Sequence, residues 1–148
     1  VAVDERGVQA DAASGKVLWQ TDLFQQPAGQ KIHSKNSHAS PTPITDGKHL
    51  WVHFGTHGTA CLALDDGHVI WKTNELKYVP QHGNGGSPII VDDKLILSCD
   101  GTDVQYCVAL DRLTGKTLWK TPRSVKPVKG FAFCTPLLRK LPSVARTE

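Results

Sequence analysis

The chain has 148 residues, the size of one domain, and an apolar fraction of 39% that supports a modest packed core. Its net charge of +3 arises at the C-terminal end, since ten basic and 13 acidic residues lie in the first 119 positions. A nucleic-acid binder needs basic residues on its folded body, so this distribution argues against a nucleic-acid partner. No run of about 18 apolar residues is present, which argues against a membrane span.

The first element in chain order is predicted to be a strand, "KVLWQT" at residues 16–21, which ends a partial unit at residues 8–22. The preceding segment, "VAVDERG", shows no strand pattern and is predicted to be irregular. The sequence contains no signal peptide and no methionine, so we expect it to be a fragment or a processed product.

Two complete units are predicted next, at about residues 38–75 and 85–122. Each contains four short apolar runs separated by turn residues, and pairs such as Asp-Gly between β-rich runs are typical of hairpins. The runs are "PTPIT", "HLWVHFG", "TACLALD" and "HVIWKT", followed in the second unit by "SPIIV", "KLILSCD", "VQYCVALD" and "TLWKT". Apolar residues nowhere recur with helical spacing, so the sequence predicts four strands per unit and no helix.

The last part of the chain starts another unit and then leaves the pattern. "FAFCTPLL", at residues 131–138, is predicted to be an inner strand. Residues 139–148 are predicted to form an irregular tail, because Pro142 cannot donate to a ladder and the apolar residues follow no strand period.

The units share a sequence motif that ends in tryptophan. Trp19, Trp71 and Trp119 stand 52 and 48 residues apart, a spacing typical of repeat architectures. Several strands are apolar on both faces, which predicts that each sheet lies between neighbouring sheets. Four-stranded units of this length, stacked face to face, are the blades of a β-propeller. We therefore predict an all-β chain of about two complete blades plus partial blades at 8–22 and 131–138, which is not a closed ring on its own.

The phrase "ALDRLTGKTLW" resembles A-x-D-x-x-T-G-K-x-x-W, the tryptophan-docking motif of quinoprotein-like propellers, and the resemblance covers most of residues 9–138. The chain is similar to secreted bacterial PQQ-like repeat proteins. The resemblance implies that the matching residues join neighbouring blades, and we expect Trp71 and Trp119 to be largely buried. The matching residues are Asp11, Gly15 and Trp19, then Ala63, Asp65, Gly67 and Trp71, then Ala109, Asp111, Thr114, Gly115 and Trp119.

The propeller interpretation places several polar loops on one rim. The loops that enter the innermost strands and those that join the second and third strands share one face, and they contain His33, His38, His57, His82, Asn84 and Asp100. Imidazoles and a carboxylate are suitable ligands for a transition metal, so His38, His57, His82 and Asp100 are metal-ligand candidates. The alternative is that a polar rim collects such residues for solvation and turn formation, and no ligand spacing decides between them.

The first functional hypothesis is a non-catalytic scaffold that binds a protein or a polymer, or the remaining blades of its own propeller. Family resemblance implies a periplasmic or secreted location. One alternative is a fragment of a PQQ-dependent quinoprotein dehydrogenase, and another is a metal- or carbohydrate-binding module that uses the histidine-rich loops. Dehydrogenases of this kind use adjacent cysteines, an acidic calcium cluster and a catalytic aspartate. No two cysteines are adjacent here, so we expect no PQQ or calcium and predict that the chain is not an enzyme.

Two of the four cysteines flank a short turn. Cys99 and Cys107 stand symmetrically about Asp103, so we predict that they face each other across a hairpin. Whether they form a disulfide stays open at this point, and free thiols are the favoured alternative.

Overall fold

The computed structural model describes residues 2–27, 32–124 and 128–139, which form three antiparallel sheets. Their strands are β1 (Ala2–Ala10) and β2 (Val17–Pro27); β3 (Ile44–Thr45), β4 (His49–His53), β5 (Thr59–Ala63) and β6 (Val69–Thr73); and β7 (Ile89–Val91), β8 (Lys94–Asp100), β9 (Gln105–Asp111) and β10 (Thr117–Pro122). The described residues contain one 3₁₀ turn, Gly55–His57, and no other helix, hence none long and apolar enough to cross a membrane. The prediction of all-β, four-stranded blades without a closed ring is confirmed.

The first strand corrects the sequence prediction for "VAVDERG". Residues 2–10 form β1, which pairs with β2 along its whole length, so this segment is not irregular. Its inward positions are Glu5 and Gly7, both buried, and neither residue type signals a buried strand. A side chain at Gly7 would meet Leu62 of the next sheet at 3.2 Å, so the strand lies close to its neighbour.

The middle sheet is buried on both faces, as its apolar pattern predicted. One face packs against β2 in a cluster that includes Leu23 and Leu62. The opposite face packs against the third sheet in a cluster that includes Trp51 and Val108. Every residue of β5 is buried, whereas β10 is exposed along its whole length. The three sheets are therefore stacked in chain order, as successive blades are.

An outer tryptophan of the middle sheet contacts the turn between β9 and β10. Trp71 donates from Nε1 to the carbonyl oxygen of Arg112 at 2.9 Å, and Trp51 donates to the same oxygen at 2.8 Å. The Trp71 indole lies on Gly115, where an added Cβ would be 2.6 Å from the nearest ring atom. Gly115 has a φ of +72°, so glycine meets both a conformational and a steric requirement.

The same contact recurs one sheet earlier and is missing one sheet later. Trp19 donates from Nε1 to the carbonyl oxygen of Leu64 at 2.9 Å and lies on Gly67. Trp71 is partly buried, but Trp119 is 38% exposed, so the prediction of a largely buried Trp119 is wrong. The reason is that no described residue forms a turn over the outer face of β10.

The predicted pairing of Cys99 with Cys107 is also wrong. Cys99 lies opposite Tyr106 and Cys107 lies opposite Ser98, so the two side chains point to opposite faces of the sheet. The turn contains residues 101–104, and this even number moves the centre of the hairpin away from Asp103. All four cysteines have free thiols.

The inner strand predicted at residues 131–138 is not observed, because this segment forms no ladder with a described neighbour. Residues 128–139 contain no strand, but they run beside the entrance to β7. Thr135 Oγ1 accepts a hydrogen bond from the backbone N–H of Ser87 at 3.2 Å. One repeat earlier, Ser87 Oγ accepts from the backbone N–H of Thr42 at 2.9 Å. The segments that contain Thr42, Ser87 and Thr135 therefore lie side by side in the same relative arrangement, one repeat apart. The tail predicted at residues 139–148 lies, except for its first residue, outside the described residues.

Candidate functional site

We use the term loop face for the surface formed by the loops before β3 and β7, the β4–β5 and β8–β9 connections, and residues 128–135. Aromatic and imidazole rings meet there. His82 packs edge-on against His33, with ring centroids 5.4 Å apart, and against Phe131 at 4.9 Å. A groove of about 450 Å³ lies beside these rings, and it is lined by His33, Lys35, Asn36, His82, Gly85 and Phe133.

Asn36 holds two of the loops that form this groove. Its side-chain amide donates to the carbonyl oxygen of His82 at 2.7 Å and to that of Asn84 at 3.3 Å. The backbone N–H of His33 also donates to the carbonyl oxygen of His82, at 3.2 Å. The loop before β3 and the loop before β7 are thus cross-linked, which gives the groove a defined shape.

A second group of polar side chains lies between the first and second sheets. Glu5 on β1, His38 before β3 and His57 at the end of the 3₁₀ turn each offer one ligand atom, and these atoms lie within 4.8 Å of one another. Glu5 Oε1 is hydrogen-bonded to His57 Nδ1, and the rings of His57 and His38 have centroids 5.1 Å apart. Glu5 Oε2 is buried and has no hydrogen-bond partner.

Burial controls the charge of this group. It raises the pKa of Glu5 to about 8. Burial, with a smaller contribution from the nearby Lys77 ammonium, lowers the pKa of His57. Burial and the neighbouring His57 also lower the pKa of His38. All three shifts favour the uncharged form of the side chain.

A third histidine of the same region is buried but separate from this group. His53, on β4, forms a hydrogen bond of 2.8 Å through Nδ1 with Thr59 Oγ1, while its Nε2 is buried without a partner. Burial lowers the pKa of His53 to about 4, so it stays neutral near pH 7. Sequence analysis gave no role to this residue, because its burial depends on the packing of two sheets.

The four predicted metal-ligand candidates lie in three places. His38 and His57 lie together, whereas His82 belongs to the groove of the loop face. Asp100 is bound by the guanidinium of Arg123, with distances of 2.8 and 2.9 Å. Sequence analysis did not select Glu5, the partner of the first two, because a single buried carboxylate in an apparently irregular segment leaves no spacing signal.

Antiparallel sheets stacked in chain order, with Trp19 and Trp71 each lying on a turn of the following sheet, define a segment of a β-propeller built from PQQ-like repeats. The family model described as outer membrane protein assembly factor BamB matches residues 1–130, and the chain belongs to this family.

Individual relatives include both assembly proteins and dehydrogenases. The chain is 30% identical to quinohemoprotein alcohol dehydrogenase ADH IIB of Pseudomonas putida over 123 residues, which cover 78% of this chain and 17% of the relative. Its fold is similar to that of BamB from Moraxella catarrhalis, with a TM-score of 0.56 and 18% identity over 79% of this chain and 31% of that one. It is also similar to a europium-containing methanol dehydrogenase, with a TM-score of 0.53 and 16% identity over 80% of this chain and 22% of that one. The chain thus spans less than a third of each relative.

Proposed function

We propose that this chain is a non-catalytic part of a β-propeller scaffold that binds a protein or polymer partner through its loop face. The observation that carries the proposal is the groove of about 450 Å³ between the cross-linked loops. It combines exposed apolar surface, including Phe133 at 45% exposure, with polar groups from Lys35 and Asn36. Binding surfaces typically join an aromatic anchor to a polar rim in this way.

The alternative, a piece of a quinoprotein dehydrogenase, is favoured by the 30% identity to an alcohol dehydrogenase. The donor groups present do not fit a quinone with its calcium ion. The loop face brings imidazoles and phenyl rings together. Asp100, at the end of β8, is bound by Arg123, and Asp103, in the β8–β9 connection, accepts a hydrogen bond from the backbone N–H of Val79. Cys61 and Cys99 are buried on separate strands within the apolar core. For these reasons we favour the scaffold function over the dehydrogenase function.

Further blades are the second kind of partner in the proposal. We propose that Trp19 and Trp71 dock blades to one another, because each indole bonds to a carbonyl oxygen and covers a glycine of the following turn. Trp119 occupies the matching place on β10 with 38% exposure, and in the complete protein we expect the turn of another blade to cover it. Membership of a family named for outer-membrane assembly supports a periplasmic or secreted location.

Photo-crosslinking tests the role of the loop face. Replacing Lys35, which lines the groove, with a photoreactive phenylalanine analogue should produce discrete crosslinked products in cells that express the complete protein. The matched control is the same replacement at Lys116, which lies in the exposed turn between β9 and β10. Equal crosslinking from both positions, or none from position 35, would contradict a binding role for the loop face.

Purified protein tests the dehydrogenase alternative. After incubation with PQQ and Ca²⁺, the scaffold proposal expects no change in the quinone absorbance and no dye-linked oxidation of alcohols. A shifted absorbance band together with turnover would favour the dehydrogenase and remove the proposal.

A further inference from the structure

Glu5 presents an unusual combination of burial and incomplete hydrogen bonding. Its side chain is 2% exposed, and among the described residues it is hydrogen-bonded to the His57 ring, whose side chain is 7% exposed. The second carboxyl oxygen, Oε2, has no partner in the described part of the chain. Buried carboxyl oxygens are nearly always hydrogen-bonded, paired with a cation or bound to a metal, so this oxygen calls for an explanation.

The surroundings of Glu5 supply the rest of a ligand set. His38 and His57 come from two different loops, and with Glu5 they place two imidazole nitrogens and one carboxyl oxygen within 4.8 Å of one another. Ligands of a tetrahedral Zn²⁺ ion, at about 2.0 Å from the metal, lie about 3.3 Å apart. Rotations that move the ligand atoms by roughly 1 Å, within reach of side-chain adjustment, would therefore close the set around an ion.

We propose that Glu5, His38 and His57 form a binding site for a divalent transition-metal ion of the Zn²⁺ type. Two imidazoles and a carboxylate match the ligand preferences of such ions better than those of Ca²⁺ or Mg²⁺, which take oxygen ligands. A cavity of about 10 Å³ adjoins the two histidine ligands, His38 and His57, which form part of its lining. It has the size of one small molecule such as water, which suits a fourth ligand.

The position of the site indicates what the ion does. Glu5 belongs to the first sheet, whereas His38 and His57 belong to loops of the second. An ion bound by all three joins the two sheets near the loop face, at the opposite end from the contact between Trp19 and Gly67. The ion therefore stabilises the folded chain, because the three ligands come together only in the folded state.

A second cluster provides a matched control rather than a second site. Asp65, Asp66 and His68 also place ligand atoms within 4.8 Å of one another, but all three are exposed. His68 and Asp66 already satisfy each other through a contact of 2.7 Å. A weak surface site there would bind added metal without any connection to Glu5.

Titration calorimetry with Zn²⁺, and visible absorption spectra with Co²⁺, test the proposal on the purified chain and on single variants. Wild type should bind one ion per chain and show a higher melting temperature when Zn²⁺ is present. Glu5→Gln keeps the size of the side chain and a hydrogen bond to His57, and His38→Gln changes a partly exposed residue, so both variants should fold. Each should weaken Zn²⁺ affinity by more than about 100-fold, the upper range for losing a mere outer-shell partner. His68→Gln should bind as wild type does.

Two results would overturn the proposal. One is the absence of Zn²⁺ and Co²⁺ binding to folded wild-type protein. The other is binding that survives in Glu5→Gln and His38→Gln, and its loss in His68→Gln would then place the ion on the exposed turn.

Discussion

Replacing Gly115 with alanine measures how much the contact with Trp71 contributes to the free energy of unfolding. The backbone at Gly115 has a φ of +72°, and a left-handed alanine costs about 1 kcal/mol. The new Cβ would also lie 2.6 Å and 2.8 Å from two atoms of the Trp71 ring. Crowding of this kind costs about 1–3 kcal/mol, because the indole has to move away from its carbonyl acceptor. We therefore expect a total loss of about 2–4 kcal/mol.

Gly15 is the matched control for this substitution. It has the same place in its turn and a φ of +70°, and its N–H donates to Asp11 at the same 2.8 Å as the N–H of Gly115 to Asp111. No atom lies within 4 Å of a Cβ added at Gly15. Alanine therefore meets the same unfavourable backbone conformation at both positions, but it clashes with a neighbouring side chain only at Gly115. Gly15→Ala should lose about 1 kcal/mol.

Urea denaturation followed by circular dichroism gives both values without depending on tryptophan fluorescence. A double-mutant cycle with Trp71→Ala sharpens the result, because Gly115→Ala should cost less once the ring has gone. The coupling energy should be at least about 1 kcal/mol, as expected for residues in contact. Equal losses from Gly115→Ala and Gly15→Ala, or a coupling energy of zero, would refute the idea that the indole and the glycine stabilise the stack of sheets.

Two further predictions concern stability. Trp71→Ala should lower the free energy of unfolding by about 3–5 kcal/mol, the usual range for truncating a packed aromatic side chain. Trp119→Ala should lower it by no more than about 1–2 kcal/mol, because Trp119 is 38% exposed. Similar denaturation midpoints for the two variants would contradict this order. Burial of His53 lowers its pKa from 6.5 to about 4. Below pH 6.5 the unfolded chain therefore binds a proton at this residue that the folded chain does not. The free energy of unfolding is highest above pH 6.5 and falls as the pH decreases toward 4. The loss between about pH 7 and about pH 5 should be about 2 kcal/mol from this residue, and urea titrations should show a smaller loss in His53→Asn. An equal pH dependence in wild type and variant would remove His53 as the cause.

Local features of the sequence determined the strands of the second and third sheets and their order. Short apolar runs bounded by turn residues such as Asp46-Gly47 predict hairpins, and the hairpins at those places are observed. The spacing of the tryptophans predicts a repeated blade, and it corresponds to one step between stacked sheets. These inferences succeed because turn geometry and the alternation of side chains depend on residues that are close in the sequence.

The burial of individual side chains was decided by tertiary structure. Trp71 and Trp119 stand in nearly identical sequence contexts, yet only Trp71 has a following turn to cover it. Local sequence contains no information on which sheet lies next to a strand, so the two residues could not be distinguished. The register of Cys99 and Cys107 also depended on one residue in a turn, which shifts every side chain of the strand to the other face.

The candidate metal site shows most clearly which features the sequence predicts and which only the tertiary structure decides. The sequence indicated that His38 and His57 share a rim, because the loops of a blade repeat in a fixed order. It did not indicate Glu5, which lies more than 30 positions before the nearer histidine and in a segment rich in charged residues. Packing of the first sheet against the second buries this carboxyl group beside the two imidazoles. A site formed by distant segments has no spacing of its own, so only the folded chain could reveal it.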